Sequence, residues 1–143
     1  MGVISTVDVQ TRLDICEVLS RYCHFADHNA GDDWAALFTP NGIFEVPGSI
    51  RLEGREKLSV MPGIVHDHGK GLWRHQISNI LIDHALSRKE MRVKAYGMVT
   101  DWGNGGAPVS FSDYTIILKY SCRWQIAHLI ADTITRQPTA IAA

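Results

Sequence analysis

Cysteine is scarce in this sequence, and the cysteine pairs that bind metals or exchange disulfides are missing. The 143 residues include three cysteines, Cys16, Cys23 and Cys122, with no C-x-x-C spacing. Cys16 and Cys23 are separated by seven positions on one predicted helix, about 10 Å along its axis, which is too far for a disulfide. We therefore expect free thiols and a cytoplasmic protein.

Long apolar runs and an excess of one charge are also missing. No apolar stretch approaches the ~20 residues that a membrane helix needs. No basic segment followed by an apolar one opens the chain, so we do not expect secretion. The 14 basic and 15 acidic residues give a formal charge of −1. This sequence has no excess of positive charge that would favour binding to nucleic acid or to an anionic membrane. G-x-G-x-x-G and Walker motifs do not occur, and we expect no cofactor.

The N-terminal third has helical periodicity. We predict one amphipathic helix from about Val7 to Asp27, because apolar residues recur on a single stripe at Ile15, Leu19, Tyr22 and Ala26. A second, short helix is predicted from Asp32 to Phe38. The cluster Thr39-Pro-Asn-Gly42 is predicted to form a turn that ends it.

From Ile43 the apolar period changes to two, which indicates strands. The predicted extended segments are Ile43–Val46, Ser49–Leu52, Leu72–Asp83, Glu90–Thr100, Phe111–Tyr120 and Arg123–Thr135. Between them, Arg55–Met61 is predicted to be helical. Pro62–Gly71 contains three glycines and a proline, so we expect a mobile loop over the site.

Helices followed by antiparallel strands predict a single α+β domain that spans residues 1–143. We expect N-terminal helices packed on a strongly curved, mostly antiparallel sheet, in the shape of a cone. Such a cavity typically holds a small apolar ligand.

Asp27 and His75 are the strongest candidates for chemistry. A carboxylate that orients an imidazole fixes its tautomer and stabilises the imidazolium, which makes a competent general base. Asp27 ends the first helix, and His75 lies in the long alternating strand of the middle section, Leu72–Asp83. Period two places one mainly apolar face of that strand on Trp73, His75, Ile77, Asn79 and Leu81.

Other groupings offer weaker alternatives. His24 and His28 have the i, i+4 spacing of two zinc ligands, and His66-Asp67-His68 lies in the glycine-rich segment. His128 and Asp132 are predicted to share a strand face with Trp124 and Ile126. We interpret His128 as a packing residue and leave Asp132 open. Cys23 lies near Asp27, where a carboxylate disfavours the thiolate, so no nucleophile is predicted.

Four motifs in order carry a family resemblance. They are Tyr22-Cys-His-Phe-Ala-Asp27, Asp33-Trp-Ala-Ala-Leu-Phe38-Thr-Pro-Asn-Gly-Ile-Phe44-Glu45, Gly54-Arg-Glu56 and Arg74-His-Gln-Ile-Ser-Asn79. Together they resemble the SnoaL-like family of the nuclear transport factor 2-like superfamily, from about Leu13 to Thr135. Scytalone dehydratase, bile acid 7α-dehydratase and hexachlorocyclohexane dehydrochlorinase show the same pattern.

The resemblance implies roles for individual residues. An Asp–His dyad in these enzymes performs base-assisted elimination, and its positions correspond to Asp27 and His75. Tyr22 corresponds to an assisting tyrosine, which could donate a hydrogen bond to a developing oxyanion. Arg136 is the nearest candidate for an arginine that contributes in some members. The remaining candidates for substrate binding are Trp73, Asn79 and Phe44.

The sequence thus predicts a cofactor-free lyase of the dehydratase type, or an isomerase, acting on a small hydrophobic cyclic or polyketide-like compound. Two alternatives stay open: a non-catalytic binding or assembly domain of the same fold, and a related epoxide hydrolase or cyclase with other acid–base groups. A broad sheet face favours a homo-oligomer, either a dimer or a trimer.

Overall fold

The computed structural model describes residues 7–134 of the chain. Helix α1 spans Val9–Asp27, and Asp8 caps it by accepting a hydrogen bond from the Thr11 amide at 2.7 Å. The predicted helix began two residues earlier, at Val7. The predicted stripe is confirmed, since Ile15, Leu19, Tyr22 and Ala26 are buried.

Helix α2, Gly31–Ala36, is shorter than predicted because Phe38 already belongs to strand β1, Phe38–Val46. The predicted turn at Thr39–Gly42 lies inside this strand, where the register against its neighbour shifts between Phe38 and Ile43. Gly42 allows a close approach there, since a Cβ would lie 2.7 Å from that of Phe38 and 3.1 Å from the Ile126 carbonyl oxygen.

Strand β2, Ile50–Glu53, pairs antiparallel with β1. Helix α3 spans Arg55–Leu58, and helix α4 spans Met61–Gly69. The expectation of a mobile loop at Pro62–Gly71 is therefore wrong over most of its length. Proline fits the first turn of a helix, because its missing N–H has no intrahelical partner there. Pro62, Val65 and Gly69 are buried, so tertiary packing outweighs the weak helix propensity of the glycines.

Four long strands complete the sheet: β3, Trp73–Ser87; β4, Glu90–Asp101; β5, Ala107–Ser121; and β6, Arg123–Thr133. A short 3-10 turn, Trp102–Asn104, precedes β5. The strand order is β2-β1-β6-β5-β4-β3. Only the β1–β6 pair is parallel among the strands described.

Register shifts between β3 and β4, β4 and β5, and β5 and β6 bend the sheet around the helices. The predicted α+β class and curved, mostly antiparallel sheet are confirmed. The core lies between α1, α2 and the concave face; its most deeply buried large side chains are Trp34, Phe38, Ile15, Leu19, Leu58, Ile116, Leu118, Ile126 and Leu129. No helix within residues 7–134 is long and apolar enough to span a membrane.

Candidate active site

Asp27 occupies the last position of α1 and is buried, with 6 % of its surface exposed. Asn29 then takes a left-handed conformation with φ of 57° and helps reverse the chain into α2. A carboxylate at a helix C-terminus opposes the helix dipole and gains nothing from hydration when buried. Other hydrogen-bond donors must therefore stabilise it.

His75, near the start of β3, supplies those donors. Its backbone N–H donates to both carboxylate oxygens of Asp27, each at 3.0 Å. Its ring Nδ1–H donates to Oδ1 at 2.7 Å, and the two side chains are only 12 % and 5 % exposed. One carboxylate thus fixes both the backbone and the ring of His75, and this contact joins the end of α1 to the start of β3.

The contact also determines which ring nitrogen is available. Because Nδ1 carries the proton donated to Asp27, Nε2 of neutral His75 has a free lone pair. Asp27 stabilises the positive charge that forms when Nε2 takes a proton. The arrangement is chemically suited to general-base catalysis.

Two buried tyrosines lie behind the imidazole. The ring of Tyr22 meets that of His75 edge-on, with centroids 6.4 Å apart, and meets the ring of Tyr114 at 6.3 Å. Burial raises the pKa of Tyr22 well above its ordinary value and raises the pKa of Tyr114 to about 12, and the two hydroxyls share a hydrogen bond. Both phenols therefore keep their protons at neutral pH, and their hydroxyl groups are engaged with each other.

Tyr114 fits into this cluster because of Gly97. A Cβ at position 97 would lie 2.3 Å from the Tyr114 ring, and Gly97 pairs with Ile77, two residues beyond His75. Any larger residue at Gly97 would displace the ring. The sequence analysis did not connect Tyr114 with Tyr22.

A cavity of about 300 Å³ opens between α1 and β3, with His75 in its wall. The helix contributes Leu19, Cys23 and His24, and the strand contributes Gln76, Ile77 and Ile80. Tyr22 is not among the residues that line it. Cys23 and His24 were not predicted at the site, although they precede Asp27 by four and three positions. Residues at those spacings share one side of a helix, which is the signal that could have identified them.

The thiol of Cys23 is not a nucleophile in this setting. Burial, and then the charge of Asp27, raises the pKa of Cys23 to about 12. The thiol therefore stays protonated at neutral pH, as the sequence predicted.

Asn79 does not share the face of His75, and this prediction is wrong. Asn79 adopts a left-handed conformation with φ of 53°, and the register against β4 shifts between Ser78 and Leu81. Beyond this bulge, Ile80 and Ile82 turn toward the core, while Leu81 is 58 % exposed. Asn79 is exposed and lines a different cavity, of about 330 Å³, together with Lys94, Tyr96 and Asp113.

The other predicted binding residues lie apart from the described cavity. Trp73 packs on Gly69 of α4, with its ring 6.1 Å from that of His68. Phe44 is buried in the core, edge-on to Trp34 at 5.6 Å. Arg136 lies outside the described residues.

The alternative histidine groupings form other contacts. His24 and His28 stack with nearly parallel rings 6.1 Å apart, and Nδ1–H of His28 donates to the His24 carbonyl oxygen at 2.8 Å. His66, Asp67 and His68 are exposed on α4. No cluster of three or more His, Cys, Asp or Glu residues that could hold a metal ion is found in residues 7–134.

His128 does not share a face with Trp124 and Ile126, because the register shifts between Ile117 and Leu118 of the paired strand. Trp124 and Ile126 are buried, and Asp132 is exposed. His128 forms an ion pair with Glu45 instead, with Nε2 3.1 Å from Oε1. This second histidine–carboxylate pair was not predicted.

Comparisons with known proteins agree with this fold. The model of the SnoaL-like domain family matches residues 7–129. No curated protein matches the chain. Rv3472, a protein of unknown function from Mycobacterium tuberculosis, superposes with a TM-score of 0.75 at 21 % identity, covering 95 % of this chain and 83 % of that one.

Two further solved structures have related descriptions. A protein from Novosphingobium aromaticivorans, provisionally named a scytalone dehydratase, has a TM-score of 0.74 at 18 % identity and covers 89 % of this chain and 85 % of its own. A protein from Catenulispora acidiphila in complex with S-DNPA has a TM-score of 0.73 at 18 % identity, with coverages of 88 % and 95 %. At these identities the structures establish the fold alone. Because the family model covers most of the sequence, the chain belongs to the SnoaL-like domain family.

Proposed function

We propose that this protein is a cofactor-free lyase of the dehydratase type, or an isomerase, that removes a proton from a small hydrophobic cyclic or polyketide-like compound. The supporting observation is the 2.7 Å hydrogen bond between buried Asp27 and His75, beside a cavity that His75 lines. A protein that only binds a ligand has no need for an oriented imidazole of this kind.

In the proposed reaction, Nε2 of His75 takes a proton from a carbon next to a carbonyl group. Asp27 holds the ring and stabilises the imidazolium. If a β-hydroxyl group then leaves, the product is an enone and water. If the proton returns to another carbon, the reaction is an isomerisation. This proton chemistry requires no cofactor.

Tyr22 has a supporting place in the proposal. Its ring packs against the edge of the imidazole, and its raised pKa keeps the hydroxyl protonated. Because Tyr22 is buried and does not line the cavity, its proposed part is to hold the imidazole in position, not to contact the substrate. We further propose a cytoplasmic protein that forms a homo-oligomer through the outer face of the sheet.

A direct test is to supply cyclic β-hydroxyketones, beginning with 3-hydroxycyclohexanone, and to follow the conjugated enone by ultraviolet absorbance. We expect His75→Ala to lower the rate by ~10²–10⁴-fold, the usual contribution of a general base, with circular dichroism unchanged. A variant that kept the full rate would remove His75 from the mechanism. Binding without turnover, unaffected by the substitution, would favour the non-catalytic binding domain.

A further inference from the structure

We propose that His24 is a second catalytic residue, the general acid that protonates the departing hydroxyl group. This inference rests on the proposed function, since it concerns the same cavity and the same elimination. It identifies the preferred substrate as a β-hydroxy carbonyl compound small enough for that cavity.

The first observation that supports this role is the position of His24 in the cavity. His24 and His75 line the same cavity, His24 from α1 and His75 from β3. An elimination needs a base at the carbon that loses its proton and an acid at the leaving oxygen, and histidine performs either role near neutral pH. Two histidines in the lining of one cavity supply both roles.

The second support is that the nitrogens of the His24 ring have no hydrogen-bond partner in the described part of the chain, since the ring contact described for His24 is stacking on His28. His24 is exposed at the cavity rim. The ring can therefore exchange protons with solvent between turnovers. His75 differs, because Asp27 permanently occupies its Nδ1. The two histidines are thus suited to different tasks.

The proton balance closes without another reactant. Nε2 of His75 takes the proton from carbon, the electron pair of the C–H bond forms the C=C bond, and the C–O bond breaks. Protonated His24 gives its proton to the leaving oxygen, which departs as water. His75 then loses its proton to solvent and His24 gains one, which restores both side chains.

The cavity also limits the substrate. A volume of about 300 Å³ is at the lower end of the ~300–1,000 Å³ range of ligand sites. Leu19, Ile77 and Ile80 provide apolar walls, whereas His24 and Gln76 provide polar groups. This lining fits a compact carbocyclic compound that carries a carbonyl and a hydroxyl group.

The experiment compares two leaving groups on one ring. 3-Hydroxycyclohexanone must release a hydroxyl group, which needs a proton, whereas 3-(4-nitrophenoxy)cyclohexanone releases the stable 4-nitrophenolate. We expect His24→Gln to lower water loss by ~10²-fold and to change nitrophenolate release by less than about threefold. His75→Gln should slow both reactions by ~10²–10⁴-fold. His66→Gln, which alters an exposed histidine of α4, is the control and should change neither.

The outcomes separate the two claims. If His24→Gln slows both probes equally or slows neither, the assignment of His24 is overturned while the proposed function stands. If the wild-type protein acts on neither probe, or if His75→Gln keeps the full rate on both, the proposed function fails and the role of His24 fails with it. His24→Asn should reproduce the selective loss, and circular dichroism checks that each variant is folded.

Discussion

Within residues 7–134, two histidine–carboxylate pairs join separate elements of the fold by a hydrogen bond, and His75 of one pair lines the cavity between α1 and β3. His75 and Asp27 join β3 to the end of α1 at 2.7 Å, with side chains 12 % and 5 % exposed. His128 and Glu45 join β6 to β1 at 3.1 Å, with side chains 32 % and 29 % exposed. The same two chemical groups meet in both places.

The surroundings account for the difference. Asp27 accepts two further hydrogen bonds from the backbone N–H of His75, which hold the carboxylate in one orientation. Glu45 has no such backbone donors among the hydrogen bonds of the described residues. Phe44 and Leu129 are buried neighbours in β1 and β6, so Glu45 and His128 point to the outer face of the sheet.

An ion pair alone is therefore a poor indicator of function. Partly exposed pairs contribute little to stability, about 0–1 kcal/mol, and occur on many sheets. The pair at Asp27 combines burial, extra donors to the carboxylate and a cavity at the imidazole. We expect that this combination, and not the pairing, determines reactivity, and the two pairs allow a controlled test.

The largest effect is expected for Asp27→Asn in the elimination assay. The Asn amide can donate to Nδ1, which would shift the proton of His75 to Nε2 and leave no lone pair for the substrate. We expect the rate of enone formation from 3-hydroxycyclohexanone to fall by ~10²–10⁴-fold. Glu45→Gln, the matched change in the other pair, should stay within about twofold. Equal losses in both variants would mean that the two pairs do not differ in function.

A smaller difference is expected in stability. Asp27→Ala leaves the backbone N–H and the ring N–H of His75 without their acceptor in a largely buried position. At about 1–3 kcal/mol for each of the two unsatisfied donors, the free energy of unfolding should fall by ~2–6 kcal/mol. Glu45→Ala should cost less than about 1 kcal/mol, because the side chains of Glu45 and His128 are both partly exposed. Urea unfolding followed by circular dichroism measures both values, and similar losses would contradict the structural distinction.

The sequence predicted more of the scaffold than of the site. Period 3.6 located α1 and its buried stripe, and period two located the four long strands, because both patterns follow directly from burial on one face. The contact between Asp27 and His75 was suggested by the family resemblance, since no local pattern relates residues 48 positions apart. The structure places them together.

The wrong predictions of strand faces and of the α4 segment have two physical causes, irregular backbone conformation and tertiary packing. An alternating apolar pattern does not reveal a residue with left-handed backbone conformation. Because Asn79 adopts this conformation at a bulge, the residues of β3 beyond Ser78 lie on the faces opposite to those predicted. The shift in β6 reversed His128 in the same way. Helix α4 buries Pro62, Val65 and Gly69, and Gly69 lies close to the ring of Trp73; the glycine and proline content of this segment does not predict these tertiary contacts.

The smallest expected effect is a change in the pKa of Cys23 when the negative charge of Asp27 is removed. The pKa of this thiol is raised from 9.0 to about 12. Burial is the larger cause, and the charge of Asp27 is the second. Removing the charge in Asp27→Asn should therefore lower the pKa of Cys23 only in part. Alkylation by iodoacetamide, followed peptide by peptide by mass spectrometry, should begin at a lower pH in this variant. Exposed Cys16 serves as the internal reference, and Glu45→Gln should leave the profile unchanged.

The raised pKa of Cys23 also predicts how the free energy of unfolding changes at alkaline pH. Between pH 9.0 and about 12 the unfolded chain loses the Cys23 proton while the folded chain keeps it, so stability falls as pH rises through this range. The slope from this group is at most about 1.4 kcal/mol per pH unit, and Cys23→Ala should remove it, whereas Cys16→Ala should not. A profile in Asp27→Asn identical to that of the wild type would mean that the carboxylate exerts no field on the cavity wall, and the contrast between the two ion pairs would then reduce to hydrogen bonding alone.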